Sequence, residues 1–441
     1  MKYKFLLFFM ISVLAVESIK AQEVTHLTLA QAVQLALANS DEAKLSDVKI
    51  LTAERELNDI KNNQYPNFKL SGQLNYLTNA NVNSKISLGK SDSEETGQPA
   101  SVPIINHLIL GQANLSMPLF SGFRAKNAIN ASENMYQATT FQSKNSKEQI
   151  GIQTIEDCIN LYKATKTIVF IKENLESAQQ RVKDFSSMEE NGLLAKNDLL
   201  KAKLQEANVE LSLEEAKKNA KILNYKLSVF LKLPENTLLE IDESSFLISK
   251  EPLQLDTINS RADLNALKFT AKAEKNKIDM AKSNYFPSVS FIGGYTALNI
   301  GNVLSVYNAM NFGVGISYDV SDIFKNKSNV EVAKSKAEEM EYTLNKATDQ
   351  VKIQIENAKQ NYLLALAKFK VYTQSQEQAI ENYRIVKDKF ENGLADTNDL
   401  LEADLQQLES KINLANAGAS IVQAYYELLT AQGYLTERIN N

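Results

Sequence analysis

Two periodicities divide the chain. Val351, Ile355, Ala358, Tyr362, Ala365, Phe369, Tyr372, Gln376, Ala379, Tyr383, Val386 and Phe390 follow one another alternately four and three residues apart. That is a heptad pattern of period 3.5, the seam of a coiled coil. It resumes at Leu401, Leu405, Leu408, Ile412, Ala415, Ala419, Val422, Tyr426 and Leu429, so two helices are predicted to fold back on each other around a short turn. A weaker version lies 201 residues earlier, at Leu161, Ala164, Ile168, Ile171, Leu175, Ala178, Val182 and Phe185, then Leu200, Leu204, Ala207 and Leu211. Proline breaks helix interiors. The seven prolines, at 66, 99, 103, 118, 234, 252 and 287, leave residues 119–233 and everything after 287 free of it. A helix from about Phe123 to Met188 would be roughly 100 Å long at the α-helical rise. No globular core of this size requires such a helix, so something is being spanned.

Ahead of each helical segment the period changes to 2. In NFGVGISYDV, Phe312, Val314, Ile316, Tyr318 and Val320 alternate with Gly313, Gly315, Ser317 and Asp319. The preceding PSVSFIGGYTALN alternates Val289, Phe291, Gly293, Tyr295 and Ala297. Nearer the N-terminus, Phe68, Leu70, Gly72, Leu74 and Tyr76 alternate in PNFKLSGQLNYLT, with HLILGQANLSM as the return strand. These are amphipathic strands. The first hairpin encloses a long Ser/Asn-rich loop, about 79–106, and the second a short one near 300–308. Strands of this length with an apolar face suit a tilted crossing of a bilayer. Four strands cannot close a barrel, and an open sheet edge cannot sit in lipid. The chain is therefore expected to oligomerise: two copies supply eight strands and three supply twelve. A face of small polar residues favours the wider, water-filled barrel.

The two helical turns carry nearly the same phrase, ENGLLAKNDLL at 190–200 and ENGLADTNDLL at 391–401. An internal repeat of this kind defines the architecture. Gly192 and Gly393 suit the left-handed position that ends a helix, and Asn197 and Thr397 or Asn398 are the expected caps of the helices that follow. Leu193 and Leu394 are harder to explain as turn residues, because ending a helix does not require an apolar side chain. A repeated exposed leucine points to a docking surface formed by Asn191, Gly192, Leu193, Asn392, Gly393 and Leu394.

Composition removes several function classes. MKYKFLLFFMISVLAVESIKAQ has a charged start and an apolar run from Phe5 to Val16, which reads as a secretory signal peptide over 1–21. No cysteine near that site supports a lipid anchor. The formal net charge is −5, about −7 once the leader is removed, and no basic run remains to bind nucleic acid. Cys158 is the only cysteine and lies on a helical pattern, where burial as a small apolar residue is expected. His26 and His107 are the only histidines, so neither a His-rich metal site nor a Ser–His or Cys–His nucleophile is available. The chain is not expected to be an enzyme or to hold a metal or other cofactor.

The paired ENGL…NDLL turns, SMPLFSGFR after the second strand, its degenerate copy DVSDIFK, and the tandem halves together resemble the TolC-like outer membrane efflux proteins, the outer membrane factor family. LTLAQAVQLALANS (27–40) is similar to that family's N-terminal helix, with INSRADLNALKF (258–269) as its echo. The resemblance implies a mainly α protein with a membrane β-barrel portion. It would be built of two tandem repeats of β-hairpin plus long antiparallel coiled-coil helical hairpin. The first repeat, 22–256, would hold an N-terminal helix, a β-hairpin at 66–118, a helical hairpin at 122–230 and an equatorial segment at 231–256. The second, 257–441, would hold a helix, a β-hairpin at 286–320 and a helical hairpin at 323–436.

The same resemblance implies a homotrimer with a twelve-stranded barrel in outer membrane lipid and a twelve-helix barrel in the periplasm. Its partners would be a periplasmic adaptor and an inner-membrane pump, and its role that of an exit duct in tripartite efflux or type I secretion. It further implies that the second hairpin supplies acids to the narrowest part of the pore. Asp399 and Glu402, three apart on one helix face, are the candidates, and their counterparts in the first repeat are Asp198 and Lys201. Acids near a helix N-terminus are also explained by capping and the macrodipole. Phe390 and Ala395 flank the turn, so no polar latch comes from those positions. The alternative is a periplasmic coiled-coil adaptor without a pore, which would need no lipid-facing strands.

Overall fold

The computed structural model describes residues 24–78, 105–246, 261–301 and 304–440. The signal peptide, most of the first hairpin loop, residues 247–256 of the equatorial segment and the start of INSRADLNALKF lie outside them. The elements run β1 (Val24–Leu27), α1 (Leu29–Asn39), α2 (Asp41–Asn62), β2 (Asn67–Tyr76), β3 (His107–Ser121), α3 (Arg124–Glu190), α4 (Lys196–Phe230) and β4 (Leu238–Ile241). They continue with α5 (Ala262–Lys282), β5 (Ser288–Ile300), β6 (Leu304–Ser317), α6 (Asp322–Glu391), α7 (Thr397–Gln432) and α8 (Leu435–Asn440). The chain is mainly helical. Its contacts divide it into two compact units, one comprising Met1–Ile50, Thr140–Asn265 and Asn345–Asn441, the other Leu51–Thr139 and Ala266–Leu344.

The first unit holds the helical hairpins and the largest apolar core. Leu29, Val33 and Ala36 of α1 pack on Ile155, Cys158 and Ile159 of α3, on Leu227 of α4 and on Val422 and Leu429 of α7. Thr28 starts α1 with a capping box, its hydroxyl accepting from Gln31 N while the Gln31 side chain accepts from Thr28 N. β1 pairs in parallel with β4, a short second sheet that the periodicity did not announce. Gly151 gives Leu435 its place, since a Cβ there would lie 3.0 Å from Leu435 Cδ2. Glu148 on α3 accepts from the backbone N–H groups of Leu435 and Thr436 at 3.0 and 2.9 Å, fixing α8 to α3. Arg261 joins three further segments: it forms a two-pronged pair with Asp263, donates to the Ala431 carbonyl at the end of α7, and reaches Gln354 on α6.

The heptad seams are present, but their registers differ in part from expectation. On α6, Val351, Ala358 and Ala365 are buried as predicted, although Phe369 is exposed. On α4 the buried stripe is Leu199, Ala202, Val209, Leu213, Ala220 and Leu227, while the predicted Leu200, Leu204, Ala207 and Leu211 are exposed. At the start of α7, Leu400, Ala403 and Asp404 are buried in place of Leu401 and Leu405. The reason is that α4 has two apolar stripes of the same period. Spacing cannot tell which one meets the chain's own helices and which is left facing outward.

The second unit contains one four-stranded antiparallel sheet in the order β2-β3-β5-β6. The central β3–β5 pairing joins a strand of each repeat, and β2 and β6 are its edges. The second hairpin loop is shorter than the expected 300–308, because β6 already begins at Leu304. At the exit of β3 the chain turns sharply into α3. Gly122 has φ 61°, and a Cβ on it would lie 2.4 Å from the Ser283 carbonyl oxygen, so both conformation and space require glycine. Phe123 follows with φ 68°, a strained conformation for a bulky residue. Its ring is held edge-on against Phe120 and Phe286, with centroids 5.3 and 6.3 Å away.

Candidate functional site

The sheet has two chemically different faces, and strand register creates them. Phe68 pairs with Leu115, Leu70 with Ala113 and Leu74 with Ile109. Leu115 continues to Gly293 and Ala113 to Tyr295. Gly293 then meets Phe312, Phe291 meets Val314 and Val289 meets Ile316. Directly opposed residues share a face, so every apolar alternation found in the four strands falls on the same side. This face is open to the surroundings: Phe312 is 82% exposed, Ile316 73% and Leu70 72%. The opposite face carries Asn67, Lys69, Ser71, Gln73 and Asn75 of β2, Gln112, Asn114 and Ser116 of β3, Thr296 of β5 and Asn311 of β6, with a few aliphatic residues between them. Water on one side and an apolar medium on the other would satisfy such a sheet. Among the described residues no helix is long and apolar enough to cross a membrane.

In the helical unit, the two turns are built alike. Gly192 has φ 71° and Gly393 φ 72°. Leu193 N–H donates to Met188 O and Gly192 N–H to Glu189 O; Leu394 and Gly393 repeat the pattern to Lys389 and Phe390. Both helices thus end in the six-to-one, five-to-two Schellman arrangement. Asn191 and Asn392 each donate to a carbonyl four residues back, Ser187 and Asp388, at 2.7 Å. Nothing lies within 4 Å of a Cβ built on either glycine, so backbone conformation alone selects them. Leu193 is 73% exposed and Leu394 77%.

The helix starts correct the expected caps. Neither Asn197 nor Thr397 nor Asn398 is the N-cap. α4 begins after Ala195, with no side-chain cap, and α7 after Asp396. Asp396 accepts from Asn398 N and Asp399 N, and Asp399 closes a capping box back to Asp396 N at 3.4 Å. Aspartate serves where threonine or asparagine was expected because its carboxylate also answers the partial positive charge of the helix start. Asp399 and Glu402 are both exposed, and Glu402 accepts from Gln406 at 3.1 Å. Their first-repeat counterparts are an ion pair, Lys201 Nζ to Asp198 at 3.2 Å.

Just behind the turns lies a feature that the periodicity did not reveal. Arg181 on α3 pairs with Asp404 on α7 at 3.0 Å, and both side chains are buried, at 7% and 4% exposure. Asn174 donates to the same carboxylate oxygen at 3.1 Å. Around them Phe185 stacks on Phe390, centroids 5.3 Å apart, and Leu199, Ala202 and Leu400 complete the cluster. Buried charges in a heptad look like ordinary polar positions until the fold supplies the partner, so the sequence signal was only the polar residue at a buried spacing. Cys158 is wholly buried, and that burial pushes its thiol up to about 12, which makes it unreactive. Among the described residues no group of three or more His, Cys, Asp or Glu is placed to hold a metal.

Residues 255–434 match the sequence profile of the outer membrane efflux protein family. No curated protein matches the chain by sequence. Several solved structures share its fold. The outer membrane protein VceC of Vibrio cholerae aligns with TM-score 0.73 and 17% identity over 92% of this chain and 96% of its own. The CmeC outer membrane channel of Campylobacter jejuni gives 0.75 and 18%, over 92% and 86%. The open state of the MtrE outer membrane channel of Neisseria gonorrhoeae gives 0.69 and 14%, over 92% and 88%. CmeC and MtrE are outer membrane channels.

Proposed function

Because residues 255–434 match the sequence profile of the outer membrane efflux protein family and the fold is similar to that of solved outer-membrane channels, we propose that the protein is the passive exit duct of a tripartite efflux or type I secretion system. The observation that carries this reading is the sheet, with one apolar face, one polar face and two open edges. An unpaired strand edge in hydrocarbon costs several kcal/mol per unsatisfied group. Pairing β6 of one copy with β2 of the next removes both edges. Three copies then give a twelve-stranded barrel in the outer membrane, apolar outside and polar within. The exposed stripe of α4, Leu200, Leu204, Leu211 and Ile222, supplies the apolar surface for neighbouring helices of a twelve-helix periplasmic barrel. The leader over 1–21 accounts for export.

On this reading Asn191, Gly192, Leu193, Asn392, Gly393 and Leu394 form the tips where a periplasmic adaptor docks, and an inner-membrane pump delivers the substrate through it. Asp399 and Glu402 set six carboxylates around the periplasmic constriction and favour cations there. The capping hydrogen bond of Asp399 supports a structural share in its role as well. Native mass spectrometry of the detergent-extracted protein tests the assembly. A trimer is expected, and a stable monomer with an intact sheet would refute the proposal.

A further inference from the structure

The polar face of the sheet bears a single charged side chain among its described residues, Lys69 on β2. Lys69 lies opposite Asn114 on β3, Asn114 opposite Gly294 on β5, and Gly294 opposite Asn311 on β6. The four residues therefore make one row across the whole sheet. Gly294 makes that row continuous. A Cβ on it would lie 2.9 Å from Asn311 Oδ1 and 3.4 Å from Asn114 Oδ1, so the two amides lean in over the glycine from either side. The flanking positions on the same face of β2 and β3 are Asn67, Ser71, Gln112 and Ser116, and none of the four strands contains a carboxylate. Nothing on the sheet neutralises the lysine.

We propose that this row is an anion-attracting ring in the bore of the assembled channel. Lys69 is the selectivity-determining residue, and the side-chain amides of Asn114 and Asn311 are neutral hydrogen-bond donors beside it. The inference rests on the reading that the polar face lines a bore shared by three copies. Symmetry then sets three ammonium groups at one height, with six amides between them and no opposing charge on the strands. The ligand class is anionic oxygen or halide: small inorganic anions and cargo bearing carboxylate, sulfate or phosphate groups. The ring is separate from the carboxylates at the helix turns, which have the opposite preference. Three charges about 7 Å from an ion on the axis, screened over a ~10 Å Debye length at 0.1 M salt, raise the local anion concentration roughly fourfold.

Reversal potentials of the full-length protein in planar bilayers under a KCl gradient provide the test. Lys69→Gln should lower the anion-to-cation permeability ratio roughly fifteenfold near 0.1 M salt, because the same potential that enriches anions about fourfold depletes cations by a similar factor, and it should have little effect near 1 M, where the Debye length is about 3 Å. Lys69→Arg should keep the wild-type ratio, and Lys69→Glu should move it further than Lys69→Gln. The shift should have the same size in an Asp399→Ala, Glu402→Ala background, because groups that share no partner act independently. Conducting Lys69→Gln channels with an unchanged ratio would overturn the ring while leaving the channel reading intact. A folded wild-type protein that never conducts would overturn the channel reading itself, and the ring with it.

Discussion

Truncating Asp404 to alanine should loosen α3 from α7 behind the helix turns, and the size of the effect follows from burial. Arg181 and Asp404 are almost wholly out of water, and Asn174 also leans on the carboxylate. Arg181 Nη1 is buried without a hydrogen-bond partner, so the guanidinium depends on Asp404 for its compensation. Removing one member of such a pair leaves a bare buried charge and costs ~3–5 kcal/mol. Replacing both with apolar residues of similar volume, Arg181→Met with Asp404→Leu, is close to neutral by the same reasoning. Hydrogen exchange of the detergent-solubilised protein, read on peptides covering 174–188 and 400–408, reports local opening directly. A loss of ~3 kcal/mol speeds exchange from the locally opened state roughly a hundredfold. Asp198→Ala is the control: its pair with Lys201 is partly exposed and should contribute no more than about 1 kcal/mol. The reasoning fails if Asp404→Ala exchanges no faster than Asp198→Ala, or if the double apolar variant is as loose as the single one.

Charged replacements at Leu193 and Leu394 should abolish efflux while the protein still runs as an oligomer in native mass spectrometry; unchanged substrate tolerance in cells would count against docking at the turns. Asp399→Ala with Glu402→Ala should reduce cation preference and block by polyvalent cations added from the periplasmic side in single-channel recordings, whereas unaltered block would leave these acids as helix-start residues only. Burial, with Glu427 and Asp157 nearby, raises the proton affinity of the Glu156 carboxyl in the folded state. Its charged form therefore opposes folding, and this penalty grows as the pH rises above the unfolded value of about 4.3. Glu156→Gln should raise the thermal midpoint at neutral pH and change nothing well below pH ~4, as followed by circular dichroism. A midpoint that drops at neutral pH would contradict the sign.

The long helices and the strands β2, β3, β5 and β6 are legible in type and order from the chain alone, whereas the short β1–β4 pair is not. Heptad spacing on α6, the alternation in β2, β5 and β6, and the glycine-ended turns depend on periods and backbone preferences that act within a few residues, so they are legible without a partner. The repeat doubled that evidence, because the heptads and the glycine-ended turns have a second copy 201 residues away, and β2 has its counterpart in β5, 221 residues on. Which of two equivalent stripes on α4 faces inward is settled only by packing, because both have period 3.5 and the tie is broken by Ile171 and Phe185 of α3 with Leu400 and Ile412 of α7. The tertiary structure also decided that all four alternations fall on one face of the sheet, since a slip of one residue in the β3–β5 register would have placed the apolar sets on opposite sides. The same holds for the polar groups that act at long range. Lys69, Asn114 and Asn311 are 45 to 242 residues apart in sequence, and Arg181 meets Asp404 across more than two hundred. No local pattern records such pairings, because strand register and helix packing are set by the summed burial of many residues, not by the few that end up in contact.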